Sequence, residues 1–348
     1  MDIDRYIQRN DPTWRRLAEL SRTGARDARQ LSDDEITELV SLYQRVSAHL
    51  SHSRSQYRDP DLNARLSGIL GEARVVIYRG RSSALGAVGR FFTETFPAAV
   101  WGSRRYIAVA ALLLFLPALG MGIWLYNSPA ALDASVPPEL QELIAQEQFA
   151  DYYRSDAAQN FAGSVTVNNI QVAFLAFALG VVPLVGTSWV LGFNGLNLGV
   201  MAAVMHRAGE GAQFWGLILP HGLLELTAIA VAGAAGLRLS WALVAPGDRT
   251  RGEAFRDEGL RAVIIVVGLA LCFIVAGFIE GFVTPSGLPT TLRIGVGVAA
   301  LTLFVAYVAL LGSRAERKGL TGLPGERSRD ELALAEADAV RGTVLRIR

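Results

Sequence analysis

Hydrophobic and polar positions follow two different patterns along the chain. Up to about residue 105, apolar side chains recur every three or four positions among charged ones; from 106 to 312 they run on with few interruptions. The first pattern predicts amphipathic helices with one buried face, the second helices surrounded by apolar material.

In the first region a helix is expected from about Pro12, with Asp11 as its cap and Trp14, Leu17 and Leu20 on one face. Ser32 with Glu35 after it forms a capping box that opens a second helix, apolar at Ile36, Leu39, Val40, Tyr43, Val46 and Leu50. Asp59-Pro60 opens a third, with Leu62, Leu66, Ile69, Leu70, Val76 and Ile77 along one side. Three such stripes can bury one another, so residues 1–83 are read as a cytoplasmic helical bundle. A partner-binding face on it is the alternative. Residues 84–105 carry Phe91, Phe92, Phe96 and Trp101 among Arg90, Arg104 and Arg105. Aromatic bodies favour the headgroup zone and arginines snorkel to water, so an interfacial amphipathic helix on the membrane surface is expected.

About twenty apolar residues span the hydrocarbon of a bilayer. That length predicts crossings at Tyr106–Tyr126, Ile170–Leu191, Phe214–Gly236, Ala262–Val283 and Leu292–Leu311. The run Leu196–Met205 follows an expected break at Asn194-Gly195 and is short for a crossing unless extended; a re-entrant segment is the alternative. Residues 106–312 are therefore a transmembrane bundle of five or six helices, with 127–169 as an outer loop and 313–348 as a weakly ordered cytoplasmic tail, helix-prone over Arg329–Arg341. The fold class is all-α.

Charge orients this arrangement. Arg79, Arg81, Arg90, Arg104 and Arg105 precede the first span, and loop 237–261 holds Arg238, Arg249, Arg251, Arg256 and Arg261. The tail opens with Arg314, Arg317 and Lys318. Basic flanks stay inside, so both termini are expected in the cytoplasm. Loop 127–169 has Arg154 against Asp133, Glu139, Glu142, Glu147, Asp151 and Asp156, and lies outside. Its stretch Glu139–Ala150 has a partial apolar face, and Phe149, Tyr152 and Tyr153 suit a cap on the bundle or a contact with the outer leaflet or another protein. Met1–Leu20 is charged and lacks a continuous apolar stretch; it does not read as a signal peptide, so the span near Tyr106 serves as the insertion signal.

Composition changes little in this picture. The mean hydropathy of +0.31 averages over the two regions, and the net charge of +1 gives no reason to expect a nucleic-acid partner. The single cysteine, Cys272, excludes a disulfide within the chain.

Ionisable groups within apolar spans are costly and need a reason. His221 and Glu225 stand four apart within Pro220-His221-Gly222-Leu223-Leu224-Glu225, on one helix face. Glu280 lies near the end of the Ala262–Val283 span, and Arg293 opens the last. His221 and Glu225 can form a proton or cation relay, or pair with each other or with amides to lock the bundle. One His and one Glu are too few for a metal site, and neither a metal nor a cofactor is expected. Glu280 can pair with Arg293 across the outer turn. Asn169, with Asn168 and Gln171, opens the second span; Asn194 and Asn197 flank Gly195, as caps or a hairpin turn or as members, with His221, Gly222, Glu225, Asn169 and Glu280, of a candidate functional polar site. Gly195-x-x-x-Gly199 and Gly277-x-x-x-Gly281 permit close helix approach. His49 and His52 are expected to be solvated and His206 to mark a membrane boundary. No Walker loop, nucleophile elbow or His-Glu-x-x-His occurs.

The run Asn168-Asn169-Ile170-Gln171-Val172-Ala173-Phe174 with later Gly180, the Asn194-Gly195 pair, and Pro220-His221-Gly222-x-x-Glu225 resemble the stage II sporulation protein M family. The arginine-rich N-terminal helices resemble its actinobacterial members. The resemblance implies a multi-pass protein of the bacterial inner (plasma) membrane. The sporulation member acts without known catalysis and anchors peptidoglycan-degrading partners during engulfment; relatives also occur where no endospore forms. His221, Gly222 and Glu225 carry over as motif positions, with no catalytic role attached. The function expected is a non-enzymatic scaffold or anchor for envelope or cell-wall partners, in contact with membrane lipids, with homo-oligomerisation left open. The alternative is a transporter or channel using His221 and Glu225.

Overall fold

The computed structural model describes residues 3–26, 31–57, 59–78, 84–145, 157–326, 328–329 and 331–332. They are helical with no strand among the described residues, and divide into two compact units, Met1–Val88 and Gly89–Arg348.

The first unit packs α1 (Ile3–Arg26), α2 (Asp33–Gln56) and α3 (Pro60–Tyr78) around Trp14, Leu17, Leu20, Leu39, Val46, Leu62 and Leu66. The expected stripes supply this core, and Val40 alone turns to the surface. The capping box is formed: Ser32 Oγ accepts from Glu35 N at 3.2 Å and Glu35 Oε2 accepts from Ser32 N at 2.9 Å. Asp59 Oδ1 accepts from Leu62 N at 2.7 Å and so caps α3. The start of α1 differs from expectation. The helix begins at Ile3 and runs through Pro12, whose missing N–H frees only the carbonyl of exposed Gln8. Asp11 is no cap; its carboxylate takes Arg15 and, across the unit, Arg65 on α3. His49 is not simply solvated either, because its Nδ1 accepts from the indole of fully buried Trp14 at 3.0 Å.

The boundary between the units falls within α4 (Ala84–Arg90), and the second unit continues with a π-helical turn (Phe91–Thr95) and α5 (Phe96–Gly102). The surface helix expected over 84–105 does not persist through this stretch. Phe96 to Val100 are buried, and Phe96 lies over Gly268, where a Cβ would come within 2.1 Å of its ring. The long helices follow: α6 (Arg104–Asn127), the short α7 (Pro129–Ser135) and α8 (Pro138–Leu143), then α9 (Ala157–Ala178), α10 (Gly186–Arg207), α11 (Gly211–Val244), α12 (Arg251–Phe278) with a π-helical turn (Ile279–Val283), and α13 (Thr290–Tyr307). A third π-helical turn (Val308–Gly312) and α14 (Ser313–Arg317) close the bundle. Phe149, Tyr152, Tyr153 and most of 329–341 fall outside the described residues.

Five helices are long and apolar enough to cross a membrane: Arg104–Asn127, Gly186–Arg207, Gly211–Val244, Arg251–Val283 and Thr290–Arg317; Thr166–Val181 is a shorter apolar helix. The chain is an all-α polytopic membrane protein.

The break falls elsewhere than expected. Ile170–Leu191 is not one span: α9 ends in a 3-10 turn at Leu179–Val181, and α10 starts at Gly186. Asn194-Gly195 lies inside α10, and 196–205 is the second half of a full-length helix rather than a re-entrant piece. At Gly195 a Cβ would stand 2.0 Å from the Leu114 carbonyl, and at Gly199 2.4 Å from that of Ala118. The pair therefore serves close packing on α6, as the Gly-x-x-x-Gly spacing suggests. Gly277 faces Thr166, but a Cβ on Gly281 would meet nothing, so that second spacing is half used. The true break leaves helix carbonyls to satisfy. Thr187 Oγ1 donates to Ala176 O at 2.8 Å and Ser240 Oγ to Gly180 O at 2.7 Å.

Contacts sort the helix ends into two sets. At one end Arg238 meets Ser103, Ser240 meets Gly180, and Arg261 meets Thr321. At the other Arg207 meets Tyr126, and a Cβ on Gly216 would touch Thr290. Helices α6, α9, α10, α11, α12 and α13 thus run alternately up and down. Helix α11 is central: Ala228 to Leu237 are buried all round.

Candidate functional site

Four helices bring polar side chains to one interior place. Helix α11 supplies His221 and Glu225, whose spacing stacks them on one face. Helix α9 supplies Thr166 and Asn169, again one turn apart. The π-helical turn after α12 supplies Glu280, and the turn after it Thr284. Helix α13 supplies Arg293, one turn from its start. Pro220 helps here: its carbonyl is where α13 approaches, because Gly297 leaves room that a Cβ, 2.5 Å from Pro220 O, would fill.

His221 and Glu225 do not simply pair with each other. Asn169 Nδ2 donates to Glu225 Oε2 in a short hydrogen bond. Thr166 Oγ1 donates to Glu280 Oε2 at 2.6 Å and also lies within hydrogen-bonding reach of Glu225. His221 Nε2 stands 4.0 Å from Glu280 Oε1, and its Nδ1 is 3.5 Å from Thr284 Oγ1. Arg293 donates to Thr284 O at 2.7 Å and to Thr290 Oγ1 at 2.9 Å. The result is a polar column from the Thr284–Arg293 turn inward to Glu225. From Gly216, level with Thr290, to Glu225 is nine residues, or about 13 Å along α11.

Both carboxylates are 1% exposed, and His221 and Arg293 are 7% exposed. Neutral hydroxyls and an amide provide most of the direct partners. Such groups spread a buried carboxylate's interactions over several helices, so each helix is tied to another. Glu225 Oε1 has no hydrogen-bond partner among the described residues. No group of three or more His, Cys, Asp or Glu that could hold a metal occurs among the described residues.

Gly222 lies on the edge of this site and lines an apolar groove of about 840 Å³ between α6, α10 and α11. Asn194 and Asn197 take no part: both are in the body of α10, Asn197 exposed, with no hydrogen bond to the column among the described residues. Thr166 and Thr284 were not visible as site residues in the sequence, since hydroxyls are common in such helices. His206 lies at the same set of helix ends as Thr290, held by Trp215, whose Nε1 donates to His206 Nε2 at 2.9 Å.

Comparisons with known proteins fall on both units. A family model described as Stage II sporulation protein M matches residues 111–285, which contain every member of the column except Arg293 and Thr290. A model for a domain of unknown function (DUF8413) matches residues 4–79. Uncharacterized protein MJ0793 of Methanocaldococcus jannaschii is 28% identical over 124 residues, 35% of this chain and 70% of that protein. Uncharacterized protein MJ0706 of the same organism is 28% identical over 123 residues, 34% of this chain and 52% of its own length. The match thus spans about half of the second relative. No solved structure matches.

Proposed function

This chain belongs to the Stage II sporulation protein M family, and from that premise we propose that it is a non-enzymatic scaffold of the bacterial inner membrane that organises envelope or cell-wall partners. The observation that carries the reading is the partnering of the interior polar groups. Glu225, Glu280 and His221 are engaged by Asn169, Thr166 and Thr284 from neighbouring helices. A column of this kind holds α9, α11, α12 and α13 in one register, which suits a rigid frame for docking. The separate N-terminal helical unit gives such a frame a second body with which to hold a partner.

Orientation follows from charge. Arg104, Arg105, Arg238, Arg249, Arg251, Arg256, Arg261, Arg314 and Arg317 gather at one set of helix ends, which the positive-inside rule puts in the cytoplasm with both termini. The exposed side chains Leu140 and Leu143 on α8 are then outside. A photo-crosslinker at either position should capture a discrete envelope protein in living cells. Proteoliposomes in which the purified chain alone moves a solute would overturn the scaffold reading.

A second reading is a proton or cation path, favoured by one observation: polar side chains follow one another from Arg293 to Glu225, His221 and Glu280 standing 4.0 Å apart, and end on a carboxylate oxygen without a partner among the described residues. Ion flux that is abolished by His221→Ala in a variant of unchanged thermal stability would establish it.

A further inference from the structure

The cytoplasm-facing set of helix ends carries a second feature that the scaffold reading does not use. The start of α6, the end of α11 and the start of α12 enclose a cavity of about 490 Å³, whose lining includes Arg104, Arg105, Arg238, Arg249, Trp241 and Glu258. We propose that this pocket binds the phosphate of an anionic phospholipid headgroup.

The charge balance is the first argument. Glu258 is buried and the guanidiniums crowd it: Arg238 Nε at 2.6 Å, Arg249 at 3.4 Å, and Arg261 in a short contact. The outer partners are Asp257 for Arg249 and Glu316 for Arg104. Five arginines therefore meet three carboxylates, and a net positive charge remains at the cavity. Arg105 is exposed and makes no ion pair among the described residues, and the two bonds from Arg249 are long. These are the donors left for a phosphate, which guanidinium groups bind as a fork.

Position is the second argument, and it selects a lipid over a free anion. The cavity lies where three apolar helices leave the hydrocarbon. Tyr106 and Trp241 stand on its rim, Trp241 47% exposed, with Ala242 and Ala245 beside it. Aromatic rings at that level belong to the interfacial belt, and basic pockets between spans there take anionic headgroups. A lipid can place its phosphate among the arginines while its chains stay beside α6 and α11.

The test is native mass spectrometry of the full chain purified in detergent with equimolar phosphatidylglycerol and phosphatidylcholine. The wild-type protein should retain phosphatidylglycerol in preference. The double variant Arg105→Ala with Arg249→Ala should lose one retained phosphatidylglycerol, a loss of about tenfold in its occupancy. A control double variant, Arg251→Ala with Arg256→Ala, removes the same charge from exposed positions that do not line the cavity and should keep that lipid. Equal loss in both doubles, no preference over phosphatidylcholine, or displacement of the lipid from wild type by millimolar inorganic phosphate would each overturn the proposal. Should the pocket double fail to fold, Arg105→Gln, a change at an exposed side chain, serves in its place with the same expected direction.

Discussion

Asn169→Ala and Glu225→Gln separate a structural lock from a charge-bearing site, because they remove different things from one hydrogen bond. Asn169 Nδ2 donates to Glu225 Oε2, and Glu225 is 1% exposed. Truncating Asn169 keeps the carboxyl group and strips a direct donor from it; stranding a buried polar group costs about 1–3 kcal/mol. Glu225→Gln keeps the shape and an acceptor oxygen for Asn169. Its new amide can donate toward the Thr166 hydroxyl, so its cost should stay within about 1 kcal/mol. The double variant Asn169→Ala with Glu225→Leu removes both partners and closes a thermodynamic cycle with its singles. Interhelical hydrogen bonds in membranes average about 0.6 kcal/mol and reach about 1.7, which bounds the expected coupling. Reversible unfolding in mixed micelles with increasing sodium dodecyl sulfate gives all the free energies. A lock requires Asn169→Ala to be the more harmful single change, with partner capture retained by Glu225→Gln. If Glu225→Gln is the more destabilising, or abolishes function at unchanged stability, the carboxylate itself is needed and the lock is the wrong account.

The same physical reading makes three further predictions. Gly195→Leu should destabilise the bundle by about 1–3 kcal/mol through overpacking, because a Cβ there stands 2.0 Å from Leu114 O. Gly192→Ala, 4.0 Å from Leu113 O, should cost about 0.5 or less, so equal melting shifts in detergent would argue against the close α6–α10 contact. In the N-terminal unit, burial pulls the His49 imidazole below its ordinary pKa while its Nδ1 accepts from Trp14. The unfolded chain takes up that proton first, so this contribution to stability is present above the usual histidine pKa and is lost as pH falls toward the folded value. Hydrogen exchange of the Trp14 indole in the full chain should accelerate over that window, and a rate indifferent to pH after correction for intrinsic exchange would count against it. Ser32→Ala opens the capping box and should cost about 0.5–2 kcal/mol, seen as faster proteolysis near the start of α2; cleavage at an unchanged rate would mean that the box is energetically idle.

What the sequence made legible was local or costly. Capping boxes at Ser32 and Thr250 are local, and Ser32 with Glu35 could be read directly. His221, Glu225 and Glu280 could be read because an ionisable group in an apolar span demands compensation. The break between α9 and α10 was legible in principle and was outweighed by the turn propensity of Asn194-Gly195. Pro183 biases Val182 away from the helical region, and Val182 is extended, with φ −92° and ψ 100°. Leu184 then takes a positive φ of 64°, and Gly186 fits where a Cβ would press on Leu179 O at 2.2 Å. In water Asn-Gly marks a turn; inside a membrane bundle the same glycine is worth more as a place for another helix to approach. Pro12 misled for a related reason, since a proline near a helix start is read as its first residue, yet here it lies inside α1, where the carbonyl it leaves unpaired belongs to exposed Gln8. The site itself divides in the same way. Its ionisable members announce themselves, and Asn169 stands out as an amide opening an apolar span, but Thr166 and Thr284, which also partner them, carry no charge and come from other helices. The groups that make a buried carboxylate tolerable are ordinary side chains until a fold brings them against it. The assignment of a role to Glu225 therefore depends less on Glu225 than on which neutral neighbours it has been given, and that is why Asn169 is the residue to change first.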